Sequence, residues 1–473
     1  MTKKLVYIFL LILMISCNRQ EDNMKIAFTG NVILNKGVNN ELKLHGDSLL
    51  INAFNFLQDQ DFLLINLEGT LTDSGNIQAD KFNFKADQER AGILKSAGIT
   101  HISLANNHIF DHGETGYENR IKAIETNGLK TLGNAAKPTI IQKGKYKCAV
   151  LSASLTTHND SPSISNIDQL KSSISSFTTS WSDIPLILYI HWGTELQPTP
   201  ETWQKELAID LINLGVDAII GHHPHVTQSI ELINGRPVFY GIGNYIADTY
   251  LPGTDMSYVV ELEINNHIEN INIVPVRLNK YFPEPLDLKQ QILDLKRHIE
   301  YSNICLFRQN EKWGVKQTHK VDFSENSDLW IISEENTVSA IKMLNPDSYL
   351  LSFQKNGITA NVLNLHGKLS EFQVSDINND NKTDVLIGIN KKVVFDPTDK
   401  KRINIYTFKN QALVPLWLGS KFIHEIESFS VINHNNLNYL ATIEKINNSE
   451  KIERIYEWND FGFALTNLNN IQK

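Results

Sequence analysis

Between residues 24 and 245 the chain repeats one pattern: a short, almost unbroken apolar run, a polar or helical stretch, then another apolar run. The runs are "MKIAFTG" (24–30), "FLLINLEG" (62–69), "ITHISLANN" (99–107), "CAVLSAS" (148–154), "LILYIHWG" (186–193), "DAIIGHH" (217–223) and "PVFYGIGNY" (237–245). Strands that are apolar throughout must be covered on both faces, which points to a largely parallel sheet flanked by helices. Two intervening helices have readable ends. Over 200–214, Thr199 is placed to cap and Pro200 to take the first helical position. Trp203, Leu207, Leu211 and Leu214 form its apolar stripe, and Gly215 stops it. Over 114–127, Tyr117, Ile121 and Ile124 face inward and Gly128 ends the helix. The alternation predicts an α/β domain over 25–283, closed by a hairpin of "MSYVVELEI" and "INIVPVRL". A polar linking helix is expected over 284–303. Beyond it, over 304–473, aromatic strands separated by Asn- and Asp-rich turns predict an all-β domain of propeller-like character.

The polar residues that carry chemistry gather just behind these strands. Glu68 follows 62–66, and Asn107, His108 and Asp111 follow 99–104. His191 and Glu195 follow 186–190, His222, His223 and His225 follow 217–220, and Asn244 follows 237–240. In α/β sheets the carboxyl ends of strands are where ligand sites form, so five separate clusters converge. A single histidine, such as His45 or His158, is ordinarily a surface or satisfied core residue. The stretch "GHHPH" is different, because imidazoles this close repel when protonated and gain most from a shared cation. Neutral imidazoles with a few oxygen donors suit divalent Mn, Fe or Zn. Trp192, beside His191, is placed either to stack on a sugar ring or to fill the core.

At the N-terminus Lys3 and Lys4 precede the apolar run "LVYIFLLILMI", which is too short to span a bilayer comfortably and fits a signal peptide. "MISC" resembles a bacterial lipobox, with Met14 where Leu is commonest, so residues 1–17 are expected to be a lipoprotein signal and Cys17 the lipidated residue. Residues 18–24 then form a tether, and the protein is exported and held at the cell-envelope membrane by its lipid. Cys148 and Cys305 are expected to be buried free thiols. A formal net charge of −9 leaves no basic face for phosphate neutralisation and excludes nucleic acid as the partner.

The segments "TGNVILNKGV", "NLEGTL", "SLANNHIFDHG", "YIHWGTE", "IIGHHPHVTQ" and "YGIGNYIAD" resemble, in this order, the poly-γ-glutamate capsule synthesis (CapA) family. That family is similar to the calcineurin-like metallophosphoesterases, so the resemblance implies a four-layer α/β/β/α sandwich. It makes Asn107 a metal ligand and His108 the residue acting on the leaving group. His191 becomes a ligand together with two of His222, His223 and His225, and Glu68 stands in place of a bridging carboxylate. The family opens with Gly-Asp, whereas this chain has Gly30-Asn31, and the superfamily's next histidine is replaced by Ile33. Asn31 offers a neutral oxygen and no charge, which weakens the first metal position and leaves one or two ions open. The expected function is metal-dependent hydrolysis of a phosphoester or an amide in capsule or exopolymer metabolism. His108, Asp111 and Glu195 are the catalytic candidates, and an anionic exopolymer or other cell-envelope molecule is the substrate. The alternatives are a non-catalytic accessory that binds or guides such a polymer, and purely structural histidines.

A second motif lies in "SDINNDNKTDVLIG". Asp376, Asn378, Asp380, the Lys382 carbonyl and Asp384 supply oxygens at positions 1, 3, 5, 7 and 9 of a loop, a spacing that suits Ca²⁺. Positions 6 and 12 depart from an EF-hand. The stretch instead resembles the calcium loop of FG-GAP/VCBS propeller repeats, which implies a structural ion; the alternative is a metal-free Asn/Asp turn.

Overall fold

The structure is a computed structural model describing residues 23–473 apart from 76–82, 157–162, 249–250 and 300–303. In the C-terminal third the gaps are 310–311, 319, 324–326, 335–336, 346, 357, 394–395, 420–421, 448, 461 and 467–473. Cys17, the signal segment and His158 therefore lie outside the described residues. Among the described residues no helix is long and apolar enough to cross a membrane.

In chain order the first half runs through strands β1 (Met24–Val32), β2 (Phe62–Leu67), β3 (His101–Ser103), β4 (Lys130–Leu132), β5 (Thr139–Lys143), β6 (Tyr146–Ser154) and β7 (Leu186–His191). It continues with β8 (Ala218–His222), β9 (Ile230–Ile233), β10 (Arg236–Phe239), β11 (Asn244–Ile246), β12 (Met256–Ile264) and β13 (Ile268–Asn279). The helices that cover them are α1 (Lys36–His45), α2 (Arg90–Ser96), α3 (Gly113–Thr126), α4 (Ile167–Ser180), α5 (Thr202–Asn213) and α6 (Leu288–Ile299). Two sheets result. One orders β13-β12-β1-β2-β3-β4, with β11 added parallel to β1; the other orders β9-β10-β8-β7-β6-β5. The strands β1 to β4 are mutually parallel, as are β6, β7, β8 and β10, while the predicted hairpin is β12–β13.

Phe28 and Leu64 from the first sheet share one core with Val150, Tyr189 and Ile220 from the second. Phe28 meets Tyr189 edge-on at 5.4 Å, and the Tyr189 hydroxyl donates to the Thr29 carbonyl at 2.6 Å, tying the sheets together. On its other face the first sheet packs Leu63, Ile65 and Ile102 against Val38, Leu94 and Ile124 from α1, α2 and α3. The second packs Leu188, Ile190 and Ile219 against Leu170, Leu207 and Leu211 from α4 and α5. Both faces of both sheets are thus covered, as the unbroken apolar runs required. The fold class is mixed α/β.

Several details depart from expectation. Helix α5 begins at Thr202, not at Pro200, and its cap is a reciprocal capping box between Glu201 and Gln204, so Thr199 does not cap it. Trp203 is 37% exposed and leaves the inward stripe to Leu207, Leu211 and Ile212. The run 237–245 breaks into β10 and β11 because the chain crosses to the other sheet between them. Cys148 and Cys305 are buried and in no disulfide among the described residues, and exposed His45 pairs with Glu41 at 3.5 Å.

The expected linking helix is packed rather than polar throughout. Leu295 and Ile299 of α6 are fully buried in the core between the sheets. Strand Lys312–Lys316 then pairs with β13, so the first sheet continues into the C-terminal third through Cys305–Gln309 and Leu329–Glu334. Thr337–Asn345, Ser348–Lys355, Ile358–Thr359 and Leu363–His366 extend that sheet further, and the other C-terminal strands form a five-stranded and a four-stranded sheet. Among the described residues all of these C-terminal pairings are antiparallel, and no sheet closes into a barrel.

Candidate metal centre

Strand register assembles the site. Asn31 is level with Asn244 on one side and Asn66 on the other, and Asn66 is level with Ser103. In the second sheet Ser154, His191 and His222 form the matching row. The glycines let these strand ends approach: a Cβ on Gly30 would fall 2.1 Å from the Gly243 carbonyl oxygen, and one on Gly221 equally close to that of Tyr240.

Glu68, directly after β2, is 1% exposed, and neither carboxylate oxygen has a hydrogen-bond partner. Its Oε1 lies 3.8 Å from His108 Nε2 and 3.7 Å from His225 Nε2. Burial pushes its pKa up, against the opposing pull of those two histidines. His191 is fully buried and held well below the ordinary histidine range, first by burial and then by His223, His222, His225 and His108. His223 is lowered to about 3 for the same kind of reason. Clustered, buried histidines that resist protonation are lone-pair donors near neutral pH.

Ring orientations follow from the amide neighbours. His225 Nδ1 sits 2.9 Å from Asn244 Oδ1, an acceptor, and 3.2 Å from Asn31 Nδ2, a donor, and these two amides hold the ring with its Nε2 toward Glu68. His191 Nε2 lies 2.9 Å from Asn107 Oδ1, and its Nδ1 lies 2.7 Å from His222 Nδ1. His222 Nε2 is buried without a partner. His223 Nδ1 is likewise buried and unpartnered.

His108 differs. Its Nδ1 donates to Asp111 Oδ2 at 2.8 Å, and its ring packs on Phe84, whose backbone N–H donates to the same Asp111 oxygen at 2.7 Å. Burial alone would lower its pKa; the hydrogen bond to Asp111 and the Glu68 charge outweigh it and raise the group above the usual range. The site thus sets one proton-holding histidine beside several lone-pair histidines.

Among the described residues two groups have ligand atoms within 4.8 Å of one another: Glu68, His191 and His223, which are buried, and Glu195, His223 and His225, of which Glu195 is exposed. Of the three late histidines, His223 and His225 enter these groups and His222 does not. The donor set and the orphaned atoms of Glu68 and His223 fit a divalent cation. Asn31 fits less well as a ligand: its Oδ1 accepts from Asn66 Nδ2 at 2.9 Å, so its Nδ2 faces His225 Nδ1 and Asn244 Oδ1 at 3.2 and 3.4 Å.

Trp192 is not a ligand platform. Side chains alternate across a strand end, so it turns away from His191 into the core behind the second sheet, fully buried, with its indole N–H on the Tyr240 carbonyl at 2.8 Å. Asn66 and Asn106 were not anticipated. Asn106 Nδ2 donates to Asn66 Oδ1 at 3.1 Å and Asn66 donates on to Asn31, a buried amide chain behind the metal side of the site. A polar residue inside an otherwise apolar strand run, as in "LLINLEG", was the available signal. Arg120, fully buried, donates to the Leu67 and Ser103 carbonyls and holds the ends of β2 and β3. Thr227, two residues past His225, is 3.0 Å from His298 of α6.

In the C-terminal loop Asp376 accepts the backbone N–H groups of Asp380 and Asn381, at 3.0 and 2.7 Å, and Lys382 Nζ pairs with Asp380 at 2.9 Å. The loop's carboxylates form neither of the two close groups. Asp384 Oδ1, however, is buried and unpartnered, and burial pushes Asp384 up to about 7.

Strand-end donors on a doubly covered pair of α/β sheets, with a buried carboxylate amid histidines, define a candidate divalent-metal site. Residues 25–249 match the family described as "Bacterial capsule synthesis protein PGA_cap". The chain is 27% identical over 330 residues to "Capsule biosynthesis protein CapA" of Bacillus anthracis, covering 64% of this chain and 80% of that protein. It is 25% identical over 329 residues to "PGA biosynthesis protein CapA" of Bacillus subtilis (strain 168), covering 64% and 84%. A "Probable polyglutamine synthesis accessory protein" of Mycobacterium tuberculosis is 22% identical over 254 residues, covering 46% and 67%.

Proposed function

We propose that this protein is a metal-dependent hydrolase of the cell envelope that works in capsule or related exopolymer synthesis and cleaves a phosphoester or an amide. The observation that carries the proposal is Glu68, a carboxylate buried among histidines with both oxygens unpartnered. A buried carboxylate with no hydrogen bond, and with only His108 and His225 at 3.8 and 3.7 Å, gains from a cation between these groups. Glu68, His191 and His223 would hold a Mn, Fe or Zn ion, with Asn107 and His225 beside them; when bound, the ion supplies a Lewis acid at the scissile group. His108 holds a proton, with Nδ1–H fixed on Asp111 and the second N–H at Nε2 facing Glu68 and the centre. That proton is placed for delivery to a leaving oxygen or nitrogen. The buried walls exclude bulk water from the Glu68 side, while Glu195 marks the open side.

The covered faces of the two sheets support the four-layer α/β/β/α arrangement for 25–283. We take residues 1–17 as a lipoprotein signal and Cys17 as the lipid anchor, with an anionic exopolymer as partner outside the membrane. Incubating the full-length protein, loaded with Mn²⁺ or Zn²⁺, with a phosphomonoester, a phosphodiester and a γ-glutamyl amide tests the proposal. Release of phosphate, alcohol or amine by the wild type is expected. No release under any loading overturns the hydrolase and favours a polymer-binding accessory. Asn31 supports that second reading, because an amide stands where the family has a carboxylate and its oxygen is already taken by Asn66.

For the loop 376–384 we propose a structural Ca²⁺, on the orphaned oxygen of Asp384. Asn379 and Asn438 exchange hydrogen bonds at 3.1 and 2.7 Å, so this loop clasps the last sheet. Ca²⁺ at 100 times its Kd would stabilise by about 2.7 kcal/mol. Calorimetry with and without Ca²⁺ is expected to show an upward shift in the C-terminal transition that Asp380→Asn abolishes; an unchanged wild-type transition means a metal-free Asn/Asp turn.

A further inference from the structure

We propose that the histidine centre is loaded from its rim: a divalent cation first binds Glu195, His223 and His225, then passes inward to Glu68, His191 and His223. The proposal rests on the centre being a metal site and adds its route of entry.

The two groups share His223. A neutral imidazole has one lone pair in a given tautomer, so a common histidine serves one ion at a time and the positions are successive rather than simultaneous. They also differ in access. Glu68 and His191 are sealed, at 1% and 0% exposure, whereas Glu195 is exposed and His225 half-buried. A hydrated ion can therefore meet Glu195 before any buried donor, and it exchanges waters for protein ligands stepwise.

Glu195 is also held in place for this. The Leu196 N–H donates to the Pro224 carbonyl at 2.8 Å, midway between His223 and His225, and Gln228 Nε2 donates to the Gln197 carbonyl at 2.8 Å. Two bonds thus strap the loop carrying Glu195 onto the histidine loop. Leu196, His223 and His225 all adopt left-handed φ, at 62°, 102° and 62°, a conformation non-glycine residues keep only where the surroundings enforce it. Finally, a carboxylate at the mouth draws in cations and raises their on-rate in a salt-dependent way.

The test is the rate of Co²⁺ uptake by metal-free full-length protein, followed by visible absorbance in a stopped-flow instrument. Glu195→Gln is expected to slow uptake about tenfold at low salt. The final spectrum and the ions bound per chain stay those of the wild type, and the difference shrinks as salt is added. Glu195→Asp restores the charge and recovers most of the rate. Uptake by Glu195→Gln at the wild-type rate overturns the entry role. Loss of an ion per chain in that variant also overturns it, because Glu195 would then be a resident ligand. Absence of Co²⁺ binding by the wild type overturns the metal centre itself, a different failure from either.

Discussion

Glu68→Gln will make the metal-free protein more stable and will abolish its tight metal binding. In the metal-free chain Glu68 is a buried carboxylate whose oxygens lack partners. Such a group costs about 1–3 kcal/mol, and more when charged. The amide carries no charge, and its carbonyl oxygen can face the His108 N–H. The pH dependence has a definite sign. Burial raises the folded-state pKa of Glu68 above its unfolded value, so the folded protein binds the proton more tightly. Wild-type stability without metal therefore falls as pH rises from the ordinary carboxylate range through that raised value, and Glu68→Gln lacks this decline. Adding Mn²⁺ or Zn²⁺ reverses the order, because ligand binding to the folded state stabilises only the chain that can bind. Thermal melts in chelator and in excess metal, on both proteins across pH, check this. A metal-free Glu68→Gln less stable than wild type would mean that Glu68 is structural.

His108→Ala will leave metal content unchanged and lower hydrolysis by a factor of about 10²–10⁴, the usual worth of a positioned general acid. His108 belongs to neither group of close ligand atoms, which is why the metal should stay. Asp111→Asn has a smaller effect on the maximal rate and a diagnostic one on pH. Asp111 helps raise the pKa of His108, so a rate that needs protonated His108 declines as pH rises through that value. Removing the carboxylate moves the declining limb to lower pH. A pH–rate profile of wild type and Asp111→Asn reads this directly, and coincident limbs would remove His108 from the proton-delivering role.

Much of this was legible because burial on both faces leaves a one-dimensional mark. The strand cores and the clusters behind them could be read from apolar runs ending in Glu68, His191 or His222, and parallel register then forced the clusters together. What stayed hidden depends on contacts distant in sequence. Trp192 neighbours His191, but strand alternation sends it into the opposite core. Glu201 outcompetes Thr199 as a cap only because Gln204 reaches back to it. The role of Asn31 is set by Asn66, 35 residues away, which occupies its oxygen. Helix α6 reads as polar, yet its few apolar residues meet a core built from both sheets.

Metal analysis of purified residues 24–473 tests the central claim most directly, comparing wild type with His191→Ala/His223→Ala by mass spectrometry. One transition-metal ion per wild-type chain, lost in the double variant, is the predicted result. No transition metal in either protein, after purification and after incubation with Mn²⁺, Fe²⁺ and Zn²⁺, would contradict it and leave the polymer-binding role.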